Sequence, residues 1–252
     1  RREMSDRVVL TGQTALVTGA GRRLGRAITR AGARAGANVV LHYRDSAAEA
    51  EATAAEAGLL GARTWLLRED LSNPEAAGEL AQRAAAETGG LDILVNNASI
   101  FDACTFADST AEAVLENVNV NALSPMHAAR AFAAQRRPGA IVNMLDARVA
   151  DYDREHVPYH LAKRMLLTLT SIMAVEFAPL VRVNAVAPGL ILPPEGKDMD
   201  YLESLKHTNP LNRHGSANDV ADAVLYLLRA GFVTGQTLYV DGGRHLRGGM
   251  YG

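Results

Sequence analysis

Cysteine, tryptophan, charge of one sign and long apolar runs are all scarce in this chain. There is one cysteine, Cys104, and one tryptophan in 252 residues. A lone thiol closes no internal disulfide, and no Cys-x-x-Cys or Cys/His pair with zinc spacing occurs. A disulfide-stapled secreted scaffold and a zinc module are therefore excluded. The seven histidines (His42, His127, His156, His160, His207, His214 and His245) show no metal-ligand spacing, so no metal is expected and each reads as structural or exposed. Lys and Arg total 26 against 28 Asp and Glu, a net charge of -2, which leaves no basic field for nucleic acid. No apolar stretch reaches the roughly 18 residues that a membrane span needs. The opening Arg1-Arg2-Glu3-Met4-Ser5-Asp6 has no apolar run behind it, so neither a signal peptide nor a membrane partner is expected and a reducing, cytoplasmic setting fits best.

What is present suits one α/β domain over residues 1–252, with flexible tails expected at 1–7 and 246–252. Seven short β-branched or apolar runs read as strands: 14–18, 38–43, 63–67, 91–96, 140–145, 181–186 and 237–240. Alanine-rich stretches of good helix formers separate them, at 24–35, 74–87, 110–134, 158–177 and 217–228. Strands alternating with helices predict a Rossmann-like, doubly wound parallel sheet with helices on both faces. The least regular part, 190–215, carries Pro193, Pro194, Gly196 and Pro210 after the sixth strand. Ligands bind beyond the carboxyl ends of such strands, so this segment is expected to cover a substrate.

The first strand runs into Thr18-Gly19-Ala20-Gly21-Arg22-Arg23-Leu24-Gly25 and then directly into a helix. Glycine turns let the backbone approach a pyrophosphate, and the helix N-terminus offers it free N–H groups and a positive dipole end. Gly19, Arg22, Arg23, Leu24 and Gly25 are the candidate contacts. The spacing Gly-x-Gly-x-x-x-Gly differs from the strict dinucleotide fingerprint. At the end of the second strand, Tyr43-Arg44-Asp45-Ser46 places a guanidinium and a hydroxyl where an acidic residue would select a free ribose 2'-hydroxyl. NADPH is the expected cofactor. Asp45 is the objection: if it faces the site in place of Arg44, NADH is preferred.

Tyr159 and Lys163 lie four apart near the start of a helix and share one face. An ammonium close to a phenol favours the phenolate and lowers its pKa, which would make Tyr159 a usable acid. With Thr18-Gly19, Asp70-Leu71, Asn96-Asn97-Ala98, Asn121, Pro188-Gly189 and Asp241-Gly242-Gly243 in the same order, the chain from about residue 8 to 245 resembles the short-chain dehydrogenase/reductase family. The resemblance implies that Tyr159 and Lys163 are catalytic, that Lys163 also holds the nicotinamide ribose, and that Asn121 supports a proton-relay water. It further implies that Asp70 and Leu71 flank the adenine, that Asn97 and Ala98 line the cofactor along with Pro188 and Gly189, and that the protein is a homotetramer.

Two positions depart from the common family pattern. Arg23 stands for the usual middle glycine of the first turn, and Asp146 stands for the usual catalytic serine. Both, with His42 to Ala50 and Asn97-Ala98-Ser99-Ile100-Phe101, are similar to pteridine reductases; the C-terminal segment is similar to dihydromonapterin reductases. That subgroup implies a pterin stacked on Phe101, with Arg23 and Ser99 near both cofactor phosphate and substrate, and Leu190 at the start of the covering loop. Asp146 beside Tyr159 suits protonation of a ring nitrogen as hydride adds to a C=N carbon, and a carboxylate there would raise the tyrosine pKa and oppose Lys163. The expected reaction is NADPH-dependent reduction of a dihydropterin, with oxidised pterin or dihydrofolate as further substrates. The alternatives are a carbonyl reductase acting on 3-oxoacyl thioesters or sugars, and a non-catalytic cofactor-binding protein of the same fold.

Overall fold

Parallel strands covered on both faces read as near-continuous apolar runs, and the central strands of this sheet do. The strands are β1 (Thr14–Val17), β2 (Asn38–Tyr43), β3 (Thr64–Arg68), β4 (Ile93–Asn96), β5 (Gly139–Met144), β6 (Val181–Pro188) and β7 (Thr237–Val240). Every residue of β1 and β4 is buried. The helices are α1 (Arg23–Arg34), α2 (Ala47–Leu59), α3 (Pro74–Thr88), α4 (Ala111–Val118), α5 (Ser124–Ala133), α6 (Val157–Glu176), α7 (Met199–Leu205) and α8 (Ala217–Arg229). This computed structural model describes residues 10–194 and 196–247.

The strands form one parallel sheet in the order β3-β2-β1-β4-β5-β6-β7. Successive side chains alternate between two cores. Val17, Val39, Leu41, Ile93, Val95 and Val142 meet α1 and α8, while Leu16, Val40, Leu94, Ile141 and Val183 meet α3, α5 and α6. The chain reverses its direction of travel between β1 and β4, and the crevice at the carboxyl ends of these strands is where such a sheet binds ligands. The expected doubly wound fold is the observed one.

Four boundaries differ from the sequence reading. Helix α2, rich in alanine and glutamate, was not among the helical stretches named. The stretch 110–134 is not one helix: Thr110 caps α4, a π turn occupies Asn119–Leu123, and α5 follows. Pro125 explains the break, because it has no N–H to give the carbonyl of Asn121 four residues back. Segment 190–215 is partly ordered into α7 and a 3-10 turn at Lys206–Thr208. The expected tails at 1–7 and 248–252 lie outside the described residues, whereas Leu246 and Arg247 belong to a 3-10 turn, Arg244–Arg247.

Candidate active site

The loop after β1 is sewn to the loop after β4. Thr18 Oγ1 accepts the N–H groups of Asn97 and Ala98, both at 2.9 Å, and Asn97 Nδ2 donates to the carbonyls of Thr18 at 2.9 Å and Gly19 at 3.1 Å. The side chain of Asn97 thus holds the loop in shape. Gly25 has no room for a side chain: an added Cβ would lie 2.0 Å from the Gly19 carbonyl oxygen. Gly19 itself has φ +62°, and a Cβ there would press to 3.1 Å on Ala98 Cα. Helix α1 starts without a side-chain cap at Arg22 and with no acidic residue in its first turn, so its N-terminal dipole end is not satisfied by a carboxylate of its own. Arg23 takes the left-handed conformation (φ +53°), a strained one for a residue with a side chain. Its Nη2 donates to the Pro193 carbonyl at 2.7 Å and ties the 190–215 segment to the phosphate loop.

At the end of β2, Asp45 does not stand alone. Arg44 Nε donates to its Oδ2 at 2.7 Å, and Arg68 Nη2 lies 3.8 Å from its Oδ1. Arg68 Nε also holds the Arg44 carbonyl at 3.0 Å. The aspartate is thus held by one guanidinium and lies near a second, while the charges of Asp70 and Glu116 also act on Arg44. Tyr43 is half-buried beside it, and the Ser46 hydroxyl faces the loop at Gly21. Asp70 Oδ1 accepts the Ser72 N–H at 2.9 Å, a bond that holds its pKa below the usual carboxylate value. Leu71 is buried, and its carbonyl accepts the Ser124 hydroxyl at 2.7 Å.

The acid–base groups meet where β5 ends. Asp146 caps a 3-10 turn, Ala147–Ala150, with Oδ1 accepting the Arg148 N–H at 2.8 Å; its Oδ2 accepts the Tyr159 hydroxyl at 3.1 Å. Tyr159 sits in the first turn of α6 and is buried. Burial, and then the charge of Asp146, push the phenol well above its ordinary 10. The expectation that Lys163 lowers this pKa is corrected: Lys163 Nζ donates to the Met144 carbonyl at 2.8 Å and lies 5.6 Å from the tyrosine ring centroid, too far to outweigh a carboxylate in direct contact. Burial pushes Lys163 itself down to about 8.

Asn121 is fully buried in the π turn with every polar side-chain atom engaged. Its Oδ1 accepts Ser99 Oγ at 2.7 Å and the Ile100 N–H at 3.2 Å, and its Nδ2 donates to the Ile100 carbonyl and to Asn117 Oδ1. The side chain therefore fixes the Ser99 loop. A relay water would have to meet the main-chain carbonyl that Pro125 leaves without its helical donor. Phe101, on the same loop, meets Tyr159 edge-on at 4.7 Å between centroids. Leu190 is buried at the start of the 190–215 segment, and Gly189, after Pro188, donates its N–H to the Val240 carbonyl at 3.0 Å. Of the residues expected at the reacting centre, Asp146, Tyr159 and Phe101 touch one another directly, and Ser99 is bonded to Asn121. Among the described residues no group of three or more His, Cys, Asp or Glu is placed to hold a metal.

The family model described as enoyl-(acyl carrier protein) reductase matches residues 19–245. The chain belongs to the short-chain dehydrogenase/reductase family. It is 35% identical over 242 residues to the granaticin polyketide synthase putative ketoacyl reductase 2 of Streptomyces violaceoruber, covering 92% of this chain and 96% of the relative. It is 34% identical over 281 residues to pteridine reductase 1 of Leishmania tarentolae, covering 94% and 97%. Among solved structures, the FolM alternative dihydrofolate reductase 1 of Brucella canis, complexed with NADP, superposes with a TM-score of 0.86 at 30% identity, over 93% of this chain and 95% of that one. As a short-chain dehydrogenase/reductase, the protein is an oxidoreductase that works with a nicotinamide dinucleotide.

One residue of this short-chain dehydrogenase/reductase escaped the sequence reading. His42, buried in β2, accepts the Gly19 N–H on Nδ1 at 3.1 Å. Its Nε2 must then carry the proton and donate to the Glu69 carbonyl at 3.1 Å. Burial pushes its pKa down to about 4, so the ring is neutral and kept in one tautomer, bracing the phosphate loop against the end of β3. The available signal was a polar residue inside the apolar run Val39-Val40-Leu41-His42.

Proposed function

We propose that this short-chain dehydrogenase/reductase reduces a dihydropterin to the tetrahydro form with NADPH. The observation that carries the reading is the Tyr159 hydroxyl on Asp146 at 3.1 Å, a carboxylate where a carbonyl reductase of the family presents a hydroxyl donor. Phe101 beside the same tyrosine offers an aromatic face for a flat ring, and the likeness to pteridine reductase 1 and to FolM supports the assignment.

The site fits NADPH. Gly19 and Gly25 let the loop fold tightly onto the uncapped start of α1, whose free N–H groups suit a pyrophosphate, and the Arg44 guanidinium with the Ser46 hydroxyl suits a 2'-phosphate while Asp45 is held by Arg44. NADPH, when bound, supplies the hydride. Tyr159 then gives its proton to the ring nitrogen that receives the electron pair of the C=N bond. Its raised pKa keeps the proton in place until that nitrogen becomes strongly basic. A phenolate beside an ionised Asp146 is costly, so the pair gives up one proton as a unit. Half-buried Asp146 reaches water and returns a proton to the buried phenol. The 190–215 segment, anchored by Arg23 on Pro193, shields the reacting centre.

NADPH oxidation with dihydrobiopterin or dihydromonapterin, run beside an acetoacetyl thioester, tests the assignment. Turnover of the pterin alone is expected. Turnover of the thioester alone transfers the protein to the carbonyl reductases, a reading its ketoacyl reductase relative favours, and oxidation with neither makes it a cofactor-binding protein. For the cofactor, Arg44→Ala is expected to weaken NADPH binding about 10- to 100-fold, as loss of a charge-assisted contact does, and to leave NADH nearly unchanged. Fluorescence titration with both nucleotides checks it. We also infer a cytoplasmic homotetramer. Leu161, Met165, Ile172 and Val175 form an exposed apolar stripe along α6, a face suited to a second copy. Light scattering should give four times 26.9 kDa, and Ile172→Glu should lower it.

A further inference from the structure

We propose that His156 is a positioning residue that sets the Phe101 ring as the outer wall of the substrate site and so confers a preference for flat heteroaromatic substrates. The preference rests on the pterin reading above; the positioning rests on geometry alone.

Phe101 stands on a loop between β4 and α4 and is 39% exposed. A phenyl ring so placed needs support if it is to meet a substrate in one orientation, because immobilising it on binding would cost affinity. The imidazole of His156 lies against it, centroids 3.9 Å apart and planes 13° from parallel. One face of Phe101 is therefore backed, Tyr159 stands at a right angle to it, and the ring keeps the exposed surface, 39% for the residue, that a ligand would cover.

His156 is itself gripped. The buried Asp153 carboxylate accepts its backbone N–H at 3.1 Å and holds Nδ1 with Oδ2 at 3.1 Å, and it also takes the Arg148 guanidinium and the Glu155 N–H at 2.9 Å. The two loops are joined by main chain as well: the Cys104 N–H donates to the Glu155 carbonyl at 2.7 Å and the Val157 N–H to the Cys104 carbonyl at 2.9 Å. The contacts close into a ring. Arg148 leads through its own N–H to Asp146, Asp146 receives the Tyr159 hydroxyl, and Tyr159 touches Phe101. The stacking surface and the proton donor are thus held in register by one set of bonds. His156 reaches the reacting atoms only through Phe101, which makes it a positioning residue. A flat bicyclic ring would gain from the fixed surface, whereas a short aliphatic carbonyl substrate would not.

The test compares His156→Ala and His156→Phe with wild type. His156→Ala is expected to raise the KM for dihydrobiopterin about tenfold, with kcat within about threefold and NADPH affinity by fluorescence titration unchanged. His156→Phe, which keeps a flat ring against Phe101, should return most of the KM. In parallel, NMR of protein labelled at phenylalanine rings should show the shifted Phe101 signals of the wild type collapsing to averaged values in His156→Ala and persisting in His156→Phe. An unchanged KM in His156→Ala, a fall confined to kcat, or unaltered Phe101 signals overturns the proposal. If the wild type does not turn over dihydrobiopterin, the pterin reading fails and takes the substrate preference with it; the Phe101 signals then decide the positioning role by themselves.

Discussion

Tyr159→Phe is expected to lower kcat for dihydropterin reduction by about 10²- to 10⁴-fold, the range for loss of a placed general acid, with NADPH affinity unchanged. The ring of Tyr159 packs in a buried position beside Phe101, and phenylalanine fills the same volume, so the fold is retained and the loss is chemical. Only the hydroxyl goes, and with it the bond to Asp146. The wild-type pH profile supplies an independent check. The phenol is raised far enough that it keeps its proton through the neutral range. Lys163 does titrate, because burial lowers it to about 8: its ammonium is present below that pH and lost above it. As the charge that offsets a developing phenolate disappears, kcat/KM should fall on an alkaline limb near pH 8. A steady-state profile flat to pH 10 would show that the ammonium does not act in this way.

The second large effect concerns the residue that separates imine from carbonyl chemistry. Asp146→Ser should lower pterin turnover by about 100-fold or more, since the relay that reloads Tyr159 is cut. It should also raise activity on an acetoacetyl thioester, because a hydroxyl at this position donates to a carbonyl oxygen while a carboxylate repels it. Asp146→Asn is the control. The amide has the shape of the carboxyl group, but with one acceptor oxygen and one donor nitrogen it cannot keep both the Arg148 and the Tyr159 bonds, and it carries no acid proton, so it should lose pterin turnover. Equal pterin rates in wild type and Asp146→Ser would remove the carboxylate from the mechanism. Asp146→Ser leaves the burial that chiefly raises the Tyr159 pKa but removes the carboxylate charge that adds to it, so the tyrosine should titrate lower in the serine variant, a shift that ultraviolet difference spectroscopy reads directly.

Much of the architecture was legible because it depends on local pattern. The seven strands are short and largely apolar, so strand positions match to within a residue or two. The break at Asn119–Leu123 was less visible: the helical composition runs straight through it, and only Pro125 hinted that a carbonyl there would lack its donor. The charge state of the 2'-phosphate edge was not legible either. Arg44 and Asp45 are adjacent in sequence, and both are contacted by Arg68, which arrives from β3 twenty-four residues after Arg44.

The sequence by itself determined the doubly wound sheet and the phosphate loop, which rest on periodicity and glycine placement, and the helical spacing of Tyr159 and Lys163, while the resemblance to the family pointed to Asp146. Tertiary structure decided the rest. It showed that Lys163 spends its ammonium on the Met144 carbonyl while Asp146 takes the Tyr159 hydroxyl, that His42 braces Gly19, and that His156 backs Phe101. The physical reason is common to all three: a hydrogen bond or a ring stack between residues far apart in the chain depends on distances of a few tenths of an ångström, and no spacing along the sequence encodes them.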